Sequence, residues 1–408
     1  MDIVLFDDPI ANRRMWPLTA FRPVADLRLG ILRISEKWQR YTQKEPVHLC
    51  ADPLNLLFKP PLADSACLIV PGNLLPHQDL ANWLISLPEG SLAVDDQGQW
   101  LGFKAEAALP QYKDLVAAET GLPSILKHLT PLVCPFPVNR LVHTWEIFQM
   151  NGNEMERDFE WITSERTGFH PSGTNLVLGN RFFIEEGAKL EGVTLNSLTG
   201  PIYIGRGAEI MEGSVIRGPF ALCENALVKM AAKIYGPTTI GPGCKVGGEI
   251  QNVVFQSNSN KAHDGYLGNS VIGEWCNLGA DTNSSNLKNT YQQVKLWDYA
   301  KGGFEATGSL FCGLVMGDHA KCGINTMFNT GTVVGAGANV FGSGYPRPFI
   351  PDFAWGGASG FTTHSMRAFI DTARIVMDRR GEELSMAHET LFKFHFEQTA
   401  EYRNWEKT

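Results

Sequence analysis

No CxxC pair occurs among the eight cysteines, which lie at 50, 67, 134, 223, 244, 276, 312 and 322. Scattered in this way, they read as reduced thiols used as small apolar residues. The chain also lacks any apolar run approaching the roughly 20 residues needed to span a bilayer. Its opening, "MDIVLFDDP", carries acids where a secretory leader has its basic region. Basic residues are in deficit, with 35 Lys and Arg against 43 Asp and Glu, a net charge of −8. With a pI near 5.7, this argues against a nucleic acid held by bulk electrostatics, although local basic pockets are compatible with it. Neither nucleic acid nor membrane is expected as a partner, and the cytoplasm is the expected location. A hydrophobic content of 44% with 19% charged residues over 408 positions fits a folded protein of two or three domains.

What is present falls into two styles. Residues 1–165 alternate short strands with helices. "DIVLF" (2–6), "VHLC" (47–50) and "ACLIV" (66–70) read as strands. Leu27, Ile31, Ile34, Trp38 and Tyr41 follow at three- and four-residue spacings and predict an amphipathic helix face. "QDLANWLISL" (78–87) and the stretch 145–163 are also helical in pattern. This alternation predicts an α/β sheet with helices packed on it, closed by the turn-rich "SERTGFHPSGTN" (164–175).

The second style is a repeat of six. Ile204, Ile210, Ile216, Leu222, Val228, Ile234, Ile240 and Val246 recur without a miss, with Ile184 and Leu190 in phase before them. Phe328, Val334 and Val340 resume the period later. A six-residue aliphatic period suits neither an α-helix nor an amphipathic strand. It predicts a parallel β-helix of hexapeptide repeats over 176–350, each hexad one flat side of a triangular coil. A tail over 351–408 shows helical spacing in Met366, Phe369, Ile370, Ala373 and Val376 and is expected to cap or pack.

Between Val246 and Ile272 the period is lost, and "QSNSNKAHDGYLG" intervenes. Such a break predicts a loop leaving the prism, and loops of this kind carry function. It places His263 beside Asp264 and Gly265. Alone, that histidine reads as a loop residue hydrogen-bonded to backbone.

"HDGYLGNSVIGEWCNLGADT" (263–282) resembles the acetyltransferase half of the bifunctional N-acetylglucosamine-1-phosphate uridyltransferase / glucosamine-1-phosphate acetyltransferase family. "PLTAFRPVADLRLGIL" (17–32) and "WGGASGFTT" (355–363) are similar to marks of a divergent bacterial branch. The resemblance implies an α/β, Rossmann-like nucleotidyltransferase domain, a left-handed parallel β-helix and a C-terminal helical tail. It implies acetyl transfer from acetyl-CoA to the amine of glucosamine 1-phosphate or a related amino-sugar phosphate. His263 is then the general base, a role that suits an imidazole near neutrality. Glu249, Tyr266, Asn277 and Asn286 match residues of the amino-sugar pocket, and Lys233 stands where the family has an arginine for the sugar phosphate. Ala280 and Gly342 match the acetyl-CoA groove, and by analogy the assembly is a homotrimer. The family's second phosphate lysine is Gln251 here, so Lys288, Lys295 and Lys229 are candidates to replace it. About one extra coil is expected around "GGFEATGSLFCGLVMGDH".

The first half departs further. A nucleotidyltransferase of this kind opens with a GxGxR loop that meets nucleotide phosphates. Here "VLFDDPIANRRMWPLT" has no glycine, which leaves Arg13, Arg14 and Arg22 as candidate phosphate contacts. Gly72-Asn73 stands where the family has the carboxylate that holds Mg2+, and an amide is a poor substitute for it. Asp7 and Asp8 read either as metal ligands or as turn residues. Uridylyl transfer from UTP or another nucleoside triphosphate, with Mg2+, is one reading of this domain; a degenerate sugar-nucleotide-binding module is the other. A β-helix holding zinc through clustered histidines is disfavoured, since His263 and His319 lie far apart in the chain and His170 precedes the repeats.

Overall fold

The computed structural model describes residues 1–58, 66–105, 112–116 and 122–407. They form two compact units. The first holds Met1–Met15, Phe21–Leu27 and Leu32–Val142; the second holds Trp16–Ala20, Arg28–Ile31 and His143–Thr408.

The first unit is an α/β domain. Asp2–Phe6 lies between parallel neighbours Val47–Leu49 and Cys67–Pro71 in a mixed six-stranded sheet. Both outer strands come from the runs that their apolar residues predicted. Helices Ile34–Thr42 and Gln78–Ile85 belong to this unit, and the first buries Ile34 and Trp38. The expected helix face over Leu27–Tyr41 is only half realised, because the helix starts at Ile34. Ahead of it, Gly30 takes a φ of +78°. The amides of Gly30 and Ile31 donate to Asn151 Oδ1 (2.7 Å) and Asp158 Oδ2 (2.8 Å), not to helical carbonyls.

The second unit is the expected parallel β-helix. Three ladders of inward side chains run along it, one per side. One begins Ile184, Ile204, Leu222, Ile240; the next Leu190, Ile210, Val228, Val246; the third Leu195, Ile216, Ile234. All are buried in one continuous core. Stacking alike residues at each level removes aliphatic surface from water coil after coil, about 25 cal/mol for each Å².

The expected loop at 246–272 is not there. Val228 stacks on Val246, eighteen positions on, whereas Val246 stacks on Lys261, fifteen on. One coil has shortened by three residues and kept its three sides. Glu249–Phe255 and Tyr266–Ile272 run as unbroken strands around a corner, each carrying two inward positions. The lost period is thus a contraction of the prism.

The excursion comes later. Ile272 stacks on Met316 and Ser284 on Phe328, and the chain between leaves the prism as an antiparallel hairpin of Lys295–Asp298 with Gly303–Ala306. This replaces the extra coil expected there. The tip is tied back, since the Tyr299 hydroxyl donates to Asp352 Oδ2 (2.5 Å) and the His395 ring meets Asp352 Oδ1 at 3.0 Å. "WGGASGFTT" forms the hairpin Ala354–Gly357 with Gly360–Thr363, which follows the last coil. Helices Met366–Asp378 and Met386–Gln398 complete the tail. No helix among the described residues is long and apolar enough to cross a membrane.

Candidate functional site

The eight cysteines are all free and buried. Burial pushes the Cys67 thiol up to about 11 and Cys244 up to about 12, as suits unreactive apolar filling. The candidate side chains lie on either side of the corner that follows the shortened coil.

His263 occupies the bend between Asn260–Lys261, on one side of the prism, and Tyr266–Ile272, on the next. Its ring is exposed and makes no hydrogen bond within the described chain, so the backbone-bonded loop histidine is not what the fold builds. It lines a cleft of about 690 Å³ with Asn277, Ala280, Trp275 and the cations Lys245, Lys321, Arg379 and Arg380. The register explains the lining: Lys245, Asn260, Asn277 and Lys321 are successive rungs of one ladder, all facing outward.

The adjoining side carries the second group. Lys233, Glu249 and Tyr266 are successive rungs there. Glu249 Oε1 accepts from the Tyr235 hydroxyl (2.7 Å). The Tyr266 hydroxyl donates to Gln251 Oε1 (2.7 Å) and accepts from Asn286 Nδ2 (2.9 Å). Burial, reinforced by the Glu249 charge, raises the Tyr266 phenol above its ordinary value and keeps it a donor. Gly268 of "YLG" leaves the space for this hydroxyl, because a Cβ there would stand 2.2 Å from it. Gln251, in the place of the family's lysine, thus holds the tyrosine. Lys233 is exposed and forms no ion pair among the described residues. Gly342 is exposed in the turn after Asn339–Val340, with open space around it. The fold therefore groups His263, Asn277 and Ala280 in one cleft and Lys233, Glu249, Tyr266 and Asn286 on the next side. The corner bearing His263 lies between the two.

Sequence reading missed Lys261. It takes the inward position that Val246 and Leu278 fill in the coils on either side. It is 1% exposed. Its Nζ donates to the carbonyls of Gly247 (3.2 Å), His263 (2.7 Å) and Asp264 (3.3 Å). A cation inside an aliphatic prism is tolerated only with such partners, and here they include the carbonyl of the histidine itself. Lys261 keeps a six-residue step from both Phe255 and Leu267, and that spacing was the available signal.

In the first unit the candidate contacts are spread apart. Arg13 and Arg14 end the short helix Pro9–Arg14, Arg14 exposed and Arg13 half-buried. Arg22 is buried with its guanidinium 3.5 Å from Asp26. Asp8 caps that helix, accepting from the amides of Ile10 (3.0 Å) and Ala11 (2.8 Å). Asp7 is buried, accepts from Asn12 (2.8 Å) and the Val24 amide (2.8 Å), and is pushed up to about 7 by desolvation. Asn73 Nδ2 donates to the Leu141 carbonyl (3.1 Å). Among the described residues no three His, Cys, Asp or Glu side chains converge on a point that would hold a metal. The donor set among the described residues does not fit Mg2+, because Asp7 has both oxygens engaged, Asp8 Oδ1 caps its helix, and no third carboxylate or histidine joins them.

The sugar nucleotidyl transferase family model matches residues 3–167. The bifunctional protein GlmU of Wolbachia pipientis is 30% identical over 142 residues, 32% of each chain. A bifunctional sugar-1-phosphate nucleotidylyltransferase/acetyltransferase of Sulfurisphaera tokodaii is 30% identical over 146 residues, 35% of this chain and 36% of the other. The chain thus spans about a third of the length of these relatives. A solved UDP-N-acetylglucosamine acyltransferase of Arabidopsis overlaps 56% of this chain and 88% of its own, at 13% identity and a TM-score of 0.23. Residues 3–167 are thus similar to the sugar nucleotidyl transferase family, a hexapeptide-repeat β-helix follows them, and the chain as a whole is similar to the bifunctional nucleotidyltransferase–acetyltransferases.

Proposed function

We propose that the β-helix transfers an acetyl group from acetyl-CoA to the amine of glucosamine 1-phosphate or a related amino-sugar phosphate. The observation that carries this reading is His263, exposed in a cation-lined cleft with a ring the chain leaves free to meet substrate. The amine nitrogen attacks the thioester carbonyl, forming the C–N bond, while the imidazole takes the amine proton. Collapse of the tetrahedral adduct breaks the C–S bond, and the departing thiolate receives that proton. Amide groups such as Asn277 suit the developing oxyanion. Glu249, Tyr266 and Asn286 suit the hydroxyls of a sugar, being a carboxylate, a phenol and an amide on adjacent rungs.

In this reading the chain works as a homotrimer. Met230 is 66% exposed and Ile324 72% exposed, apolar side chains that contact with other copies would bury. The first domain is read as a sugar-nucleotide-binding module, which the commitment of Asp7, Asp8 and Asn73 to local structure favours over metal-assisted uridylyl transfer.

The test is thiol release from acetyl-CoA with glucosamine 1-phosphate. Wild type is expected to turn over and His263→Ala to lose roughly 10²-fold or more. Equal rates for the two proteins would remove His263 from the chemistry. No release by either would overturn the reading for this acceptor.

A further inference from the structure

The cations of the His263 cleft have no use in the fold that accounts for their position together. Lys245 projects from one coil of the prism, while Arg379 and Arg380 come from the end of helix Met366–Asp378, and the three line the same opening. In a chain with 43 acidic and 35 basic residues, none of the three forms an ion pair among the described residues. Lys229 stands near enough, with both arginines, to help lower the Lys245 amine below its ordinary value; desolvation is the larger cause. Like charges brought together without a counter-charge repel. A helix C-terminus favours cations beside its free carbonyls, and that explains Arg379 and Arg380, which follow Asp378, taken alone. It does not explain their meeting a lysine from another element.

The cluster is also held in place. Arg380 donates from Nη1 to the Gly243 carbonyl (2.8 Å) and from Nη2 to Asn260 Oδ1 (3.3 Å). One edge of the guanidinium thus anchors the helix end to the coil that bears Lys245. Lys321, deeper in the cleft, gives its Nζ to the His319 carbonyl (3.0 Å). This leaves Lys245 and Arg379 as the cations whose donors are not spent on the chain, beside His263 and Asn277.

We propose that Lys245 and Arg379, with Arg380 fixing the helix end, form the site for a phosphate ester or pyrophosphate group of a substrate that reacts at His263. The inference deepens the acetyl-transfer reading and rests on it for the identity of the substrate. Binding a dianion between a lysine and an arginine offsets their repulsion and gives charge-assisted hydrogen bonds, with the arginine able to present two parallel donors. Two sources share this chemistry, the phosphates of the acetyl donor and the 1-phosphate of the sugar.

The test uses the full chain and three probes: inorganic pyrophosphate, coenzyme A and glucosamine 1-phosphate. Each is titrated calorimetrically at low salt into wild type and into Lys245→Gln/Arg379→Gln. Both residues are exposed and repel one another, so the double variant should melt no lower than wild type. Lys189→Gln, at an exposed lysine on a distant coil, serves as the charge control. The expected result is a tenfold or greater loss of pyrophosphate affinity in the double variant and none in the control. Whichever of the two organic probes weakens in parallel identifies the source, and KM for that substrate should rise more than kcat falls. Equal binding of all three probes by wild type and double variant overturns the inference, as does wild type that binds none of them. Should wild type release no thiol from acetyl-CoA while pyrophosphate affinity still depends on the pair, the acetyl-transfer reading falls and the phosphate site stands.

Discussion

Lys261 shows how one residue can be paid for by its neighbours inside an aliphatic prism. Burial drives its amine down to about 8, from 10.5, and three carbonyls accept its hydrogen bonds. Below pH 8 the amine is charged in both the folded and unfolded chain, and the fold bears the full cost of burying it. Between about 8 and 10.5 the unfolded chain binds the extra proton, so this residue's contribution to stability rises with pH. Unfolding free energies of wild type and Lys261→Met, measured in urea at pH 7.5 and pH 10, should shift in favour of wild type at the higher pH. A difference that is flat with pH would mean that the amine is not desolvated as the geometry requires. The hexad spacing from Phe255 and Leu267 does mark this position, but a period counted on aliphatics alone scores a lysine as a miss. Tyr266 and Glu249 were named through the family resemblance, and the fold sets them on adjacent rungs. Lys245 and Arg379 were not, because nothing in a linear sequence says which side of a prism the end of a tail helix meets.

Elements were read well where they obeyed a period and poorly where tertiary contacts overrode one. The run from Leu27 to Tyr41 has helical spacing throughout, yet its first half is drawn out by side chains of helix Glu146–Thr163. Gly30 is the hinge of that override. A Cβ there would lie 2.4 Å from Asp158 Oδ2 and 2.9 Å from the Glu154 carbonyl carbon, at a φ of +78°. Gly30→Ala should therefore destabilise the protein by about 2–4 kcal/mol, the sum of a left-handed backbone and an overpacked contact. A urea midpoint unchanged from wild type would contradict that geometry. The signature "PLTAFRPVADLRLGIL" thus owes part of its pattern to packing in the second unit. The same holds for "WGGASGFTT", whose glycines let two strands fold back at the end of the prism. The break at 246–272 misled for a different reason. A coil that loses three residues and a loop that leaves the prism erase the six-residue period alike, and only the register tells them apart.

At the scale of the whole molecule, the two styles of sequence correspond to two kinds of architecture. An α/β sheet was legible from alternating runs, and the β-helix from eight aliphatics in phase. What stayed hidden was how the chain divides, for two short pieces of the N-terminal stretch, Trp16–Ala20 and Arg28–Ile31, are counted with the β-helix. Assembly is the property that belongs to this scale. If the exposed Met230 and Ile324 mark contacts between copies, sedimentation equilibrium should return three times the 45.0 kDa of the chain. Charged substitutions at both sites should then yield the single-chain mass. A single-chain mass for wild type would remove the trimer from the proposed mechanism.

The clamp on Arg28 has a consequence in time. Its amide donates to Gln256 Oε1 (2.7 Å) and its carbonyl accepts from Gln256 Nε2 (3.0 Å), across 228 residues of chain. A ribosome adding roughly 5–20 residues each second needs on the order of 10–45 s to make that stretch. Throughout that interval the segment lacks the glutamine that will hold it. Its final shape must wait for the middle of the β-helix to be synthesised, so one of the first parts of the protein to be made is among the later ones to settle.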